Sequence, residues 1–178
     1  MNTQTFNIAV AQSNVDWVGK KVTGAHNGTI GIKAGELLLN NGQITAGRFV
    51  VDTTSIKILD IADPATNAQF AGHLASDDFF AIGQYPEANF VITSTEGNHI
   101  KGDLTIKGIT HPVDFDAQVN VAGSTLTATG KIIIDRTQYG IRFRSGNFFQ
   151  NLGDTLIYND FELTISLTAT AVEAPVLA

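Results

Sequence analysis

Apolar and polar residues alternate with a period of two along most of this chain. Phe161, Leu163, Ile165, Leu167 and Ala169 interleave with Glu162, Thr164, Ser166, Thr168 and Thr170. Val113, Phe115, Ala117, Val119 and Val121 take one parity; Asp114, Asp116, Gln118 and Asn120 take the other. Leu126, Ala128, Ile132 and Ile134 alternate with Thr125, Thr127, Thr129 and Lys131, and Phe90 and Ile92 with Val91 and Thr93. Successive side chains of a strand point to opposite faces, so this pattern predicts strands with one dry and one wet face. An antiparallel sheet that closes on itself or packs on a helix has that signature.

Turn residues punctuate the pattern. Asn41-Gly42 between two alternating runs predicts a type I′ hairpin. Glu96-Gly97-Asn98 and Ala122-Gly123-Ser124 predict two more hairpins. Asn27-Gly28 reads either as a tight turn or as an irregular spot within a strand. One region reads as helical: Asp63 as cap, Pro64 at the first helical position, then Ala65, Ala68, Ala71, Leu74 and Ala75 as an apolar stripe. Ser76 is expected to cap a second short turn through Asp77–Phe80, and Phe148–Leu152 to form another. About eight antiparallel strands and one short helix predict an all-β fold, a closed barrel without exposed sheet edges. The reading is one domain over residues 1–178, with 174–178 as a loose tail.

Composition narrows the function classes. Hydrophobic residues make up 43% of the 178 and charged residues 16%, a globular balance. Eleven Phe, against three Tyr and one Trp, supply apolar surface without a polar handle, which suits a large core or an apolar pocket. A formal net charge of −6 argues against nucleic acid and anionic membrane surfaces as partners. The absence of cysteine removes disulfides, thiolate metal sites and thiol nucleophiles. No run of about 18 apolar residues offers a membrane span. The residues after Met1 carry no basic, apolar leader pattern, so the chain as written reads as cytoplasmic; a leader trimmed ahead of Met1 would place it in the periplasm.

Three segments in fixed order carry a resemblance. They are His73-Leu74-Ala75-Ser76-Asp77-Asp78-Phe79-Phe80 leading to Tyr85-Pro86, then Gly102-Asp103-Leu104-Thr105-Ile106-Lys107-Gly108-Ile109-Thr110, then Asp135-Arg136-Thr137-Gln138-Tyr139-Gly140-Ile141. With Ser13–Lys21 and Gly24–Gly28 in front, the ordered set resembles the YceI-like family of small lipocalin-like barrels. The resemblance implies a lipocalin-like barrel of about eight strands, a polyisoprenoid lipid or isoprenoid quinone as ligand, no catalytic role, and a homodimer as the default assembly.

The candidate sites follow from both readings. Phe90, Ile92, Leu104, Ile106, Phe115, Val119, Ile132, Ile134, Leu163 and Ile165 are expected to point inward. They either line an elongated apolar cavity, where each buried methylene contributes about 0.8 kcal/mol, or interdigitate as a solid core. Phe79, Phe80, Phe148 and Phe149 fall in predicted turns and either guard a cavity mouth or plug a barrel end. Trp17 either touches the ligand or packs across one end with its indole N–H on a backbone carbonyl, the reading the residue type favours. His26, His73 and Arg136 are candidates for a polar rim; Arg136 either pairs with Asp154 or Asp160 or holds a diphosphate or quinone head. No histidine pair has metal-ligand spacing, so no metal and no resident cofactor are expected beyond a bound isoprenoid. Asp77-Asp78 lack the geometry of an acid/base dyad. Three functions remain in play: a lipid carrier, an interaction or stress-response module with a solid barrel, and an enzyme using His26 or His73 as base.

Overall fold

The structure, a computed structural model, describes residues 3–21, 24–76, 79–141 and 157–172. Nine strands form one antiparallel sheet among these residues: β1 (Thr3–Ile8), β2 (Asn14–Lys21), β3 (Gly24–Asn40), β4 (Gln43–Ile58), β5 (Glu87–Glu96), β6 (His99–Ile106), β7 (Ile109–Ala122), β8 (Thr125–Asp135) and β9 (Ile157–Ala171). β2 to β9 pair in sequence order, and β9 returns to β2, which closes an eight-position meander barrel. The extra strand shares a position. β1 pairs with the far ends of β3 and β9, while β2 pairs with their near ends, so β1 and β2 read as one strand interrupted between Ile8 and Asn14. Ser13, buried at the break, repairs the ladder: its hydroxyl donates to the Ala9 carbonyl at 2.9 Å and accepts from the Thr168 amide at 3.0 Å.

The predicted turns form where the backbone chemistry placed them. Asn41 and Gly42 both take positive φ, 54° and 81°, as a type I′ hairpin requires. The hairpins at Glu96–Asn98 and Ala122–Ser124 also form. Asn27-Gly28 is no turn: both residues lie within β3, paired with β2 on one side. Of the two readings of that dipeptide, the irregular spot is the nearer, since the β3–β4 register shifts between Thr29 and Gly31. Across that shift Thr53–Ile56 of β4 bulge out; Ser55 holds the bulge by accepting from the Gly31 amide at 2.7 Å and donating to the Asp52 carbonyl at 2.6 Å. Such bulges bend long strands, which a closed barrel needs.

The helix α1 (Pro64–Ala75) joins β4 to β5. Asp63 caps it by accepting from the Thr66 amide at 3.0 Å. Its packed face is the C-terminal part of the expected stripe. Ala65 and Ala68 are exposed, while Leu74 is buried and Ala71 packs against the core. Phe70, outside the stripe, packs there as well. Ser76 ends this helix, its hydroxyl donating to the His73 carbonyl at 2.6 Å, and a turn follows it: the Ser76 carbonyl accepts from the Phe79 amide at 3.0 Å. β4 runs on past its last pairing with β5, at Asp52↔Glu87, and α1 with Phe79 and Phe80 covers that stretch of wall.

Inside, the alternation holds. Phe90, Ile92, Leu104, Ile106, Phe115, Ile132, Ile134 and Ile165 are buried, and Val119 and Leu163 are half-buried against them. Asp135 ends β8, so Arg136 does not share a strand with it; Arg136–Tyr139 form a 3-10 turn closed by Gly140 at φ 74°.

Candidate functional site

Along its axis the barrel has two different halves. Toward the end where β2, β4 and β8 finish and β9 begins, a cavity of about 180 Å³ opens. Beyond Phe49, Phe90 and Ile165 the space shrinks to a void of about 20 Å³ among Ile92, Ile100, Phe115, Ala117 and Leu167. The alternatives of hollow bore and solid core are therefore both realised, one in each half.

Apolar side chains dominate the larger cavity. Trp17, Phe79, Phe80, Phe90, Leu104, Ile106, Ile132, Leu163 and Ile165 all line it, as do His26 and Arg136. Four other expected site residues lie elsewhere. Ile92 and Phe115 border only the small void, and Ile134 borders neither. His73 stays on the helix, with its ring edge-on to Phe79 at 4.9 Å, and does not line the cavity. Phe148, Phe149 and Asp154 lie outside the described residues, as do Asp77, Asp78 and the tail. Phe49, Val51, Ile56 and Phe70 line the cavity without having been singled out, and so does Leu74 of the helix stripe. Phe49 and Val51 share a parity in β4, and Phe70 and Leu74 are four apart on a helix, so the signal was present in the sequence.

Trp17 illustrates how the wall is built. Its indole packs against Gly28 of β3, where an added Cβ would sit 2.6 Å from the ring and 1.7 Å from the Lys57 carbonyl. Only glycine lets the ring approach so closely. The side chain is 8% exposed, yet its Nε1 finds no acceptor among the described residues. The expected hydrogen bond to a backbone carbonyl is therefore absent among the described residues.

Polar groups gather at the mouth: Lys20, Lys21, His26, Arg136, Tyr158 and Asp160. Thr53, also in the lining, spends its hydroxyl on the Tyr85 carbonyl at 2.8 Å. Arg136 is 4% exposed and donates to three backbone carbonyls: Nε to Tyr158 at 3.0 Å, Nη1 to Ile141 at 3.0 Å and Nη2 to Ile157 at 3.1 Å. It therefore binds main chain and not the expected Asp160. A guanidinium has five N–H donors, and these bonds use three of them among the described residues. Burial pushes its pKa down, against the attraction of neighbouring Asp135, and no carboxylate among the described residues pairs with it directly.

His26 ties the mouth together. Its Nδ1 lies 2.8 Å from Asp60 Oδ2, and its ring packs at a tilt against Phe70 of α1 with centroids 4.9 Å apart. Desolvation works to raise the Asp60 pKa; the hydrogen bonds from His26 and the Asn27 amide outweigh it and hold the carboxyl below its ordinary value. The pair anchors the segment before α1 to β3. Of the two, His26 lines the cavity and Asp60 does not. Among the described residues no group of three potential metal ligands converges.

A depression of about 510 Å³ lies on the outside over β2, β8 and β9, lined by Val18, Ile133, Tyr158, Asp135 and Glu162. It is the more open of the two and mixed in polarity. It cannot strip water from a hydrocarbon as an enclosed apolar wall does.

The profile of a YceI-like domain matches residues 6–169. The chain belongs to the YceI-like family. Among solved structures, this YceI-like chain superimposes on Burkholderia cenocepacia BcnA with a TM-score of 0.67 at 23% identity, covering 92% of this chain and 99% of that one. A polyisoprenoid binding domain from Saccharophagus degradans, implicated in plant cell wall breakdown, gives a TM-score of 0.67 at 13% identity, covering 94% and 98%. At those identities the likeness is one of fold. Among curated sequences, a UPF0312 protein of Staphylococcus aureus (strain USA300) is 38% identical over 82 residues, 40% of this chain and 46% of that protein. A UPF0312 protein of Staphylococcus epidermidis is 36% identical over 103 residues, 52% and 60%. The match thus spans about half the length of these curated relatives. No helix among the described residues is long and apolar enough to cross a membrane.

Proposed function

We propose that this YceI-like barrel binds and carries an amphipathic lipid of the isoprenoid class, without catalysing a reaction on it. The observation that carries the reading is an apolar cavity inside the barrel, open at one end, with charged groups at its mouth. A tail entering the cavity loses contact with water, and that desolvation drives affinity. At the mouth, the guanidinium of Arg136 and the ammonium groups of Lys20 and Lys21 meet an acceptor-bearing head, a quinone carbonyl or a phosphate oxygen. The likeness in fold to a polyisoprenoid binding domain supports the same reading. His26 is committed to seating the helix, so the reading gives it a structural role at the rim.

The test is mass spectrometry of an organic extract of the protein purified from its own host. A co-purifying prenyl lipid or quinone is the expected result. No lipid in the extract, together with no uptake of added isoprenoid by the delipidated protein, overturns the proposal.

A further inference from the structure

The exposed large apolar residues sort by position. Val10, Val91, Val121 and Val172, spread over the rest of the barrel, are all valines. The larger ones stand at the mouth end: Leu59 just past β4, Tyr85 just before β5, Ile109 at the start of β7 and Tyr158 at the start of β9, with Ile133 two residues from the end of β8. Leu59 is 63% exposed although its backbone is held, its amide donating to the Asn27 carbonyl at 3.0 Å. Tyr85 packs beside the β6–β7 turn, where a Cβ added at Gly108 would sit 3.1 Å from its ring. Single exposed apolar side chains are ordinary; bulky ones gathered around one opening mark a contact surface.

Charge sorts along the same axis. The net charge of −6 repels an anionic surface as a whole, yet it is unevenly placed. Four of the seven lysines stand at the mouth end: Lys20 and Lys21 where β2 finishes, Lys57 where β4 finishes and Lys107 in the β6–β7 turn. The acidic residues there are Asp60, Asp63, Asp135 and Asp160. Asp60 is bonded to His26, Asp63 caps α1 and Asp135 caps the 3-10 turn, while Asp160 shares the outer depression with Lys20. Toward the far end acidic groups prevail: Glu36, Glu96, Asp114 and Asp116, with Arg48, Lys101 and His99 among them. An anionic surface therefore draws the mouth toward itself and turns the far end away.

We propose that the mouth end docks on a phospholipid bilayer bearing anionic headgroups, with Leu59, Tyr85 and Ile109 entering the interface and the rim lysines meeting lipid phosphates. This inference rests on the carrier reading and adds where the cargo is collected: a tail that passes from bilayer to cavity through a seated mouth never crosses water. A second copy of the chain is the rival occupant. A two-fold interface sets the same patch on both copies, so it would bring the lysines of two rims together, whereas lipid phosphates neutralise them.

The experiment is co-sedimentation with vesicles of phosphatidylcholine containing about one-third phosphatidylglycerol, at low salt. Wild type should partition onto them and be released as salt is raised. Leu59→Asn with Ile109→Asn, both at exposed positions outside the cavity lining, should lower the partition coefficient at least about tenfold. Lys57→Gln should lower it about three- to fivefold, and Val121→Asn at the far end less than about twofold. Because the chain has no cysteine, Ile109→Cys and Val121→Cys each give one site for an environment-sensitive dye. Vesicles should shift the emission to the blue at position 109 and not at 121. Wild type that stays in the supernatant, rim variants that bind as wild type does, or equal shifts at the two dye positions overturn the docking while leaving the carrier reading to its extraction test. So does a dimer in analytical ultracentrifugation that the Leu59→Asn and Ile109→Asn pair dissociates. A lipid-free extract combined with rim-dependent vesicle binding overturns the carrier reading instead and leaves the docking surface standing.

Discussion

Replacing Arg136 by methionine isolates the group on which the mouth is built. The guanidinium binds the carbonyls of Ile141, Ile157 and Tyr158, so it joins the end of β8 to the start of β9 and to the residue after the 3-10 turn. Hydrogen bonds from a charged donor contribute about 1.5–3 kcal/mol each, so the three give a gross stabilisation of roughly 4–9 kcal/mol. Against this stands the cost of taking the charge out of water, several kcal/mol for a group so buried and without a carboxylate partner. The difference, together with carbonyls left short of a donor, gives an expected loss of about 2–4 kcal/mol for Arg136→Met. For a chain of this length that lowers Tm by roughly 5–15 °C. Arg136→Lys keeps a charge but not the planar fork, and should fall between the two. Urea denaturation followed by circular dichroism measures the loss; hydrogen exchange should show faster opening at the first residues of β9. A methionine variant within about 0.5 kcal/mol of wild type would refute the reasoning, since it would mean that desolvation cancels all three bonds.

Two further outcomes follow from the geometry. Phe115→Ala empties the filled half and should cost about 3–5 kcal/mol, whereas Leu163→Ala enlarges a space that already exists and should cost less than half of that; equal losses in chemical denaturation would contradict the division of the barrel. On the outer face, His99 lies 2.7 Å from Asp116 and 2.9 Å from Asp114, and the hydrogen bond to Asp116, then that to Asp114, raise its pKa above the ordinary 6.5. A raised histidine pKa contributes stability that is fully present below 6.5 and is lost as pH climbs through the folded value. Wild type should therefore exceed His99→Asn in Tm at pH 5.5 and converge on it at alkaline pH; parallel curves across that range would refute the pairing.

Much of this architecture was written in the alternation and the turns. The parity of Leu163, Ile165 and Leu167 told which face is dry, and Asn41-Gly42 told where β3 reverses. The family segments carried the barrel and its helix. Less legible were the helix face, where Phe70 joined Ala71 and Leu74 while Ala65 and Ala68 stayed exposed, and the partners of Arg136, which among the described residues are main-chain carbonyls. A helical stripe read by residue type overlooks reach. A side chain's main-chain partners come from strands remote in sequence, so no local spacing announces them.

From the amino-acid order alone came the strands, their inward residues and the oily, cysteine-free interior, because a period of two and turn chemistry are local properties of the backbone. Depth along the barrel axis is not local. Ile132 and Phe115 are both inward residues, yet one borders the cavity and the other the packed half. That difference was decided only when eight strand positions closed with a particular register, setting Phe90 against Gly102, Phe49 and Phe115 and so dividing one interior into a chamber and a core.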